Sequence, residues 1–189
     1  DYVLFCAEVA STTNEALLIH HLIDKETDRK QKLYLINSQL EQIRTTVFRQ
    51  VMFAEFELFT HEKAEQGIPL TADDLSAFWH EINVKYYGPE MTVDPEIDME
   101  WARIPHFYSD FYVYQYATGY AAANSFANSI LGGAPDAVEK YKGFLKSGGS
   151  DYPINILRRA GVDMETAKPM QDTMDTFQNL LSMLEKETG

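Results

Sequence analysis

Two groups of residues in this chain have the types and spacing to do chemistry. The first is Glu8, Ser11, Thr12 and Glu15. On a helix, Glu8 and Glu15 share one face two turns apart, with Ser11 and Thr12 between them. Glu8 is set among Leu4, Phe5, Cys6, Ala7, Val9 and Ala10. A carboxylate drawn into such surroundings needs a metal, a cation or several hydrogen bonds. A solvated helix face or a buried structural ion pair accounts for the same pattern. The second group lies in residues 104–120, where His106 follows Pro105 and Tyr108, Tyr112, Tyr116 and Tyr120 recur every fourth position. One continuous helix would carry these hydroxyls as a slowly rotating stripe. Phenols beside one imidazole suit hydrogen bonding to a peptide backbone or a developing oxyanion. They are poor general bases, because a free phenol titrates near pH ~10. A tyrosine-rich core edge is the alternative reading of that stretch.

The elements that must position these groups read as helices throughout. A first helix is expected over residues 2–23. Asp28 caps a second, in which Leu33, Ile36, Leu40, Ile43, Val47 and Val51 recur at spacings of three and four. That helix is expected to continue without a break through Phe56 and Leu58 to Gly67-Ile68-Pro69. Thr71 with Asp73 and Asp74 caps a third, closed by Gly88-Pro89. Residues 90–103 read as an irregular connection. A fourth helix is expected from just after Pro105 to Leu131, ended by Gly132-Gly133. Pro135-Asp136 and Pro153 start two shorter ones, and Pro169 opens a last helix with an apolar stripe of Met170, Met174, Phe177, Leu180, Leu181 and Leu184. With no alternating strand pattern, the fold class is all-α.

Composition narrows the functional classes. The chain has 29 acidic and 16 basic residues, and an excess of negative charge repels phosphate backbones, so nucleic acid is not an expected partner. No run is apolar and long enough to span a bilayer. Cys6 is the single cysteine, so no internal disulfide forms and a reducing, cytoplasmic location is expected. His20, His21, His61 and His80 read as surface or satisfied structural residues. Glu57 and His61, one helical turn apart, could chelate a stray metal, and Arg49 and Glu55 fit an internal ion pair.

Six strings in order carry a resemblance. They are residues 5–18, beginning Phe5-Cys6-Ala7-Glu8-Val9-Ala10-Ser11-Thr12; residues 46–57, including Phe48-Arg49-Gln50 and Phe53-Ala54-Glu55-Phe56-Glu57; and Tyr86-Tyr87-Gly88. Then come Ile104-Pro105-His106-Phe107-Tyr108, residues 111–119 and Ser147-Gly148-Gly149-Ser150. Together they resemble the C-terminal part of the oligoendopeptidase F branch of the thimet-oligopeptidase-like zinc metallopeptidases. The resemblance implies a zincin-type catalytic domain hydrolysing short peptides. Two histidines of a His-Glu-x-x-His helix would bind zinc there. The third ligand falls on Glu8, and Glu15 falls on a glutamate that supports a ligand histidine. His106, Tyr112 and Tyr116 fall on residues that bind substrate and stabilise the tetrahedral intermediate, with Tyr116 or Tyr120 as the catalytic phenol beside His106. Gly148-Gly149 falls on a loop near the cleft.

The chain departs from that family in one respect: it contains no His-Glu-x-x-His. His61-Glu62 and His80-Glu81 begin the motif without its second histidine. The motif is expected roughly two dozen residues upstream of Glu8, in an earlier part of the same polypeptide. Residues 1–189 are therefore expected to be one helical region, the C-terminal portion of a larger peptidase catalytic domain. With one of three zinc ligands and no general base, it is expected to be inactive alone. Its first helix is expected to expose apolar area. The rival reading is a non-enzymatic helical peptide-binding module. A carboxylate-bridged metal bundle is ruled out because no Glu-x-x-His pair occurs.

Overall fold

The computed structural model describes residues 3–188. Among them helices supply all the regular structure and no strand occurs, so the chain is all-α. The α-helices are α1 (Leu4–Lys25), α2 (Arg29–Ile43), α3 (Arg49–Glu65), α4 (Ala72–Tyr87), α5 (Tyr114–Leu131), α6 (Ala137–Ser147), α7 (Pro153–Arg159) and α8 (Lys168–Thr188). The expected start of the first helix at Tyr2 lies outside the described residues. Several boundaries follow the predicted caps. The Asp28 side chain accepts the Gln31 amide at 2.9 Å, and Thr71 and Asp74 form a reciprocal capping box at the start of α4. Gly88 closes α4 at φ 78°, a value that favours glycine.

Two compact units form, one from residues 1–44 with 118–189, the other from 45–117. The second unit has an aromatic core. Trp79 of α4 is wholly buried and meets Phe56 of α3 edge to face, with ring centroids 4.9 Å apart. Phe107 packs on Phe56 at 5.2 Å and on Phe53 at 5.9 Å. Such ring pairs add to the stabilisation from buried area alone.

The long second helix is interrupted. Residues 44–48 form a π turn between α2 and α3. A π turn takes one extra residue and rotates every later side chain relative to the earlier ones. The apolar register slips accordingly: Met52, Phe53 and Phe56 are buried, whereas Val51 and Leu58, which the uninterrupted pattern assigned inward, are exposed. The expected Arg49–Glu55 pair does not form either. Arg49 pairs with buried Glu100 at 2.5 Å, and Arg103 bonds the same oxygen. Glu55 instead binds Lys85 at 2.6 Å and accepts from Tyr86 at 2.9 Å. Residues 95–103, assigned to an irregular connection, are wound into 3-10 turns that carry Glu100.

In the first unit, Val9 and Cys6 of α1 pack with Ala122, Ala123 and Phe126 of α5 and with Leu157 of α7. Phe5 packs against α5 at Gly119, where an added Cβ would lie 3.5 Å from the Phe5 ring, an ordinary contact, so the packing does not require glycine. The last helix differs from its predicted stripe. Its buried line is Pro169, Thr173, Thr176 and Leu180, and Met170, Met174, Phe177, Leu181 and Leu184 are half-buried beside it. The threonines are tolerated because they are bonded. Thr173 donates to the Pro169 carbonyl at 2.9 Å, and Thr176 accepts from Asn124 and Asn128, each at 3.1 Å.

Asp151 organises the start of α7. Hydrogen bonds from Asn155, from Arg159 and from the Tyr152 amide hold its carboxyl down at about 2. A carboxyl depressed below its unfolded value near ~3.9 contributes stability that is complete above that value and is lost as pH falls toward about 2. An Asp151→Asn variant should therefore be less stable than the parent at neutral pH and converge with it at low pH. Denaturation midpoints measured from neutral pH down to about pH 2 test this.

Candidate active site

The carboxylate pair lies on α1 as the spacing requires, but the surroundings of Glu8 are not those expected. α1 buries Cys6, Val9, Thr13, Ala16 and Ile23. Glu8, Ser11 and Glu15 occupy the opposite, exposed face. The apolar neighbours of Glu8 in sequence point mostly to other faces of the helix, because successive residues are rotated by about 100°. The Glu15 carboxylate accepts from Gln42 of α2 at 3.3 Å. Leu4 and Leu18 are more than half exposed on α1, with Leu22 at 41%. The exposed apolar area expected of this helix is therefore present. Among the described residues, no three His, Cys, Asp or Glu side chains come close enough to hold a metal ion. Beside α1, a cavity of about 270 Å3 is lined by Cys6, Ala7, Ala10, Phe144, Leu145 and Gly148. Burial raises the Cys6 thiol above its usual pKa, which leaves it protonated and unreactive.

The tyrosine stripe is broken. A single helix from Pro105 does not form. Residues Pro105–Tyr108 make a 3-10 turn, the chain passes through left-handed backbone at Asp110 (φ 40°) and Phe111 (φ 55°), and α5 starts only at Tyr114. This reversal brings His106, Tyr112 and Tyr116 together. The Tyr116 hydroxyl lies 3.3 Å from His106 Nε2 and donates to it when the imidazole proton is on Nδ1. The His106 and Tyr112 rings are nearly parallel, 5.9 Å apart and 11° from coplanar orientation. The Tyr112 and Tyr116 rings meet edge to face at 5.5 Å. All three side chains are half-buried. Phe107, fixed in the aromatic core, anchors the turn that carries His106.

The other two tyrosines leave the stripe in opposite ways. Tyr108 is 91% exposed. Tyr120 is buried, its hydroxyl accepts from Gln39 Nε2 at 2.7 Å, and burial raises its pKa well above the usual phenol range.

The remaining histidines divide. His80 Nδ1 lies 2.8 Å from Asp98, and His21 is exposed. His61 packs its ring on Phe111 at 4.3 Å. His20 is not satisfied: its Nε2 is buried without a partner, and burial lowers its pKa. The Glu57 carboxylate is buried, and one of its oxygens accepts the Phe111 amide at 2.8 Å. The roles of Glu57 and Phe107 were missed from sequence. The one signal was Asp110, a residue type that tolerates left-handed backbone.

The sequence profile of peptidase family M3 matches residues 1–176. The chain belongs to peptidase family M3. This M3 chain is 50% identical over 186 residues to oligopeptidase PepF of Bacillus subtilis, covering 98% of its own length and 28% of that protein. It is 47% identical to an oligoendopeptidase F homolog of Lactococcus lactis subsp. lactis, again over 98% of itself and 31% of the relative. The M3 chain thus spans less than a third of the curated relatives it matches. Its fold superimposes on the crystal structure of oligoendopeptidase-F from Enterococcus faecium with a TM-score of 0.95 and 46% identity, covering 99% of this chain and 36% of that one. Among the described residues of the M3 chain, no helix is long and apolar enough to cross a membrane.

Proposed function

We propose that this chain is the C-terminal part of a cytoplasmic, zinc-dependent oligoendopeptidase that hydrolyses short peptides, and that it is inactive by itself. The observation that carries this reading is the meeting of His106, Tyr112 and Tyr116 in a chain of the M3 family. Glu8 would be a zinc ligand. Its carboxylate is exposed on α1 and its donor chemistry suits the ion. Glu15, on the same face, would orient a ligand histidine supplied by the upstream part of the polypeptide. Zinc, when bound, supplies Lewis-acid polarisation of the scissile carbonyl and lowers the pKa of water.

This chain's own residues act on the substrate backbone. The Tyr116 hydroxyl turns from His106 to the carbonyl oxygen as charge develops there, and His106 donates to the same region in the tautomer that carries its proton on Nε2. Tyr112 stacks against His106 and fixes its ring plane while its own hydroxyl binds the peptide. Tyr116, half-buried beside His106, is the donor in this scheme. The Tyr120 hydroxyl remains on Gln39.

A quenched fluorescent oligopeptide tests the proposal with the full-length protein and with residues 1–189, each with and without added zinc. Hydrolysis is expected from the full-length protein alone, abolished by a chelator and restored by zinc. Metal-independent peptide binding without hydrolysis would select the helical binding module instead. Hydrolysis by residues 1–189 alone would mean that Glu8 is wrongly assigned.

A further inference from the structure

Glu57 is an unusual residue for the interior of α3. It is only 2% exposed, yet it belongs to neither arginine pair of its unit. Buried carboxylates persist where hydrogen bonds compensate for lost water. Here the Glu57 carboxylate accepts the main-chain N–H of Phe111 at 2.8 Å. One turn along the same face of α3, the His61 ring packs on the Phe111 ring at 4.3 Å and 39°. Phe111 is thus held at its amide by one residue of α3 and at its ring by another.

The grip falls where the chain needs it. Asp110 and Phe111 are consecutive left-handed residues, both carrying side chains. Such backbone is rarely populated by a bulky residue and persists only where its surroundings over-determine it. These two residues reverse the chain between His106 and Tyr112. Without the reversal, Tyr112 and Tyr116 would continue away from His106, as they do in the uninterrupted helix that the tyrosine spacing suggests. Phe107, seated on Phe56 and Phe53, fixes the other end of the same loop.

We propose that Glu57 is a positioning residue for peptide cleavage: with His61 it clamps Phe111 and so sets where Tyr112 and Tyr116 stand relative to His106. The assignment to cleavage rests on the peptidase reading above. The clamp itself rests on the hydrogen bond, the ring contact and the backbone.

The test uses the full-length, zinc-loaded protein with Glu57→Leu, Glu57→Gln and His61→Ala. Amide hydrogen exchange is followed over residues 107–113, and kcat and KM are measured for a quenched oligopeptide. Glu57→Leu keeps the bulk and removes the acceptor. It should speed exchange at Phe111 and lower kcat/KM by about 10–10²-fold, the scale on which small misplacements of catalytic groups act. Glu57→Gln retains an acceptor oxygen and should rescue both readouts. His61→Ala removes only the ring contact and should give a smaller change in the same direction.

Wild-type exchange and wild-type kinetics in Glu57→Leu would overturn the clamp. So would Glu57→Gln falling as far as Glu57→Leu, since charge and not an acceptor's position would then be what matters. If Glu57→Leu does not fold, His61→Ala decides: unchanged exchange and kinetics would again overturn it. If the parent protein cleaves no peptide, the peptidase reading fails, while the exchange comparison still judges the clamp.

Discussion

Replacing Tyr116 by Phe in the full-length protein should lower kcat for peptide hydrolysis by about 10²–10³-fold, with KM changed far less. The reasoning is geometric. The Tyr116 hydroxyl and His106 Nε2 lie 3.3 Å apart, and both side chains are half-buried. A donor in that position is open to a ligand and partly shielded from water, which strengthens its interaction with a developing negative charge. The substitution leaves the ring and its edge-to-face contact with Tyr112 in place. The missing hydroxyl is therefore the only large change. Tyr120→Phe provides the contrast. Its hydroxyl is buried on Gln39, so its loss leaves the Gln39 amide without that acceptor and should cost about 1–3 kcal/mol of stability. Turnover in Tyr120→Phe should stay near that of the parent once the protein is folded. Initial rates for the two variants over a range of peptide concentrations settle the assignment. Full turnover in Tyr116→Phe would remove it from the mechanism.

The largest loss of stability should come from Trp79→Ala, at about 3–5 kcal/mol. Trp79 is wholly buried and touches Phe53, Phe56 and Phe107, with centroids between 4.9 and 6.2 Å. Its removal opens a cavity where three rings converge, and one of those rings anchors the turn bearing His106. Peptide hydrolysis should fall with stability even though Trp79 touches no substrate. Trp79→Phe should cost much less than Ala. The indole Nε1 is buried without a hydrogen-bond partner, and deleting that unpaired donor recovers part of the packing loss. Denaturant unfolding followed by circular dichroism gives both values. A Trp79→Ala midpoint close to the parent would show that the second unit's core repacks around the gap.

How much was legible beforehand varies with the physics of each element. Local rules carried the caps and stops: Asp28, Thr71 with Asp74, Gly88 and Pro153 each act through their own or the next few backbone groups. Tertiary contacts decided the departures. The π turn at residues 44–48 cannot be read from apolar spacing that fits an unbroken helix equally well as far as Val47. It shows only in the slip from Val51 to Met52. Arg49 chose Glu100 over Glu55 because long-range partners are invisible to spacing along one helix. In α8, buried threonines replaced long apolar residues because their hydroxyls are bonded: Thr176 accepts from Asn124 and Asn128 on α5, and Thr173 donates to the Pro169 carbonyl.

By itself, the sequence determined that the chain is helical, where most helices start and stop, the shared face of Glu8 and Glu15, and the residues from which a peptide site could be made. Hydrophobic period and capping chemistry are local, so the residues concerned carry that information themselves. Only the tertiary structure decided that Glu8 faces outward, that Tyr108 and Tyr120 leave the stripe, and that His106, Tyr112 and Tyr116 meet. That meeting depends on left-handed backbone at Asp110 and Phe111, held by Glu57 and His61 from α3. A conformation that is unfavourable locally is specified by the contacts that hold it, and those contacts come from residues about fifty positions away in the chain.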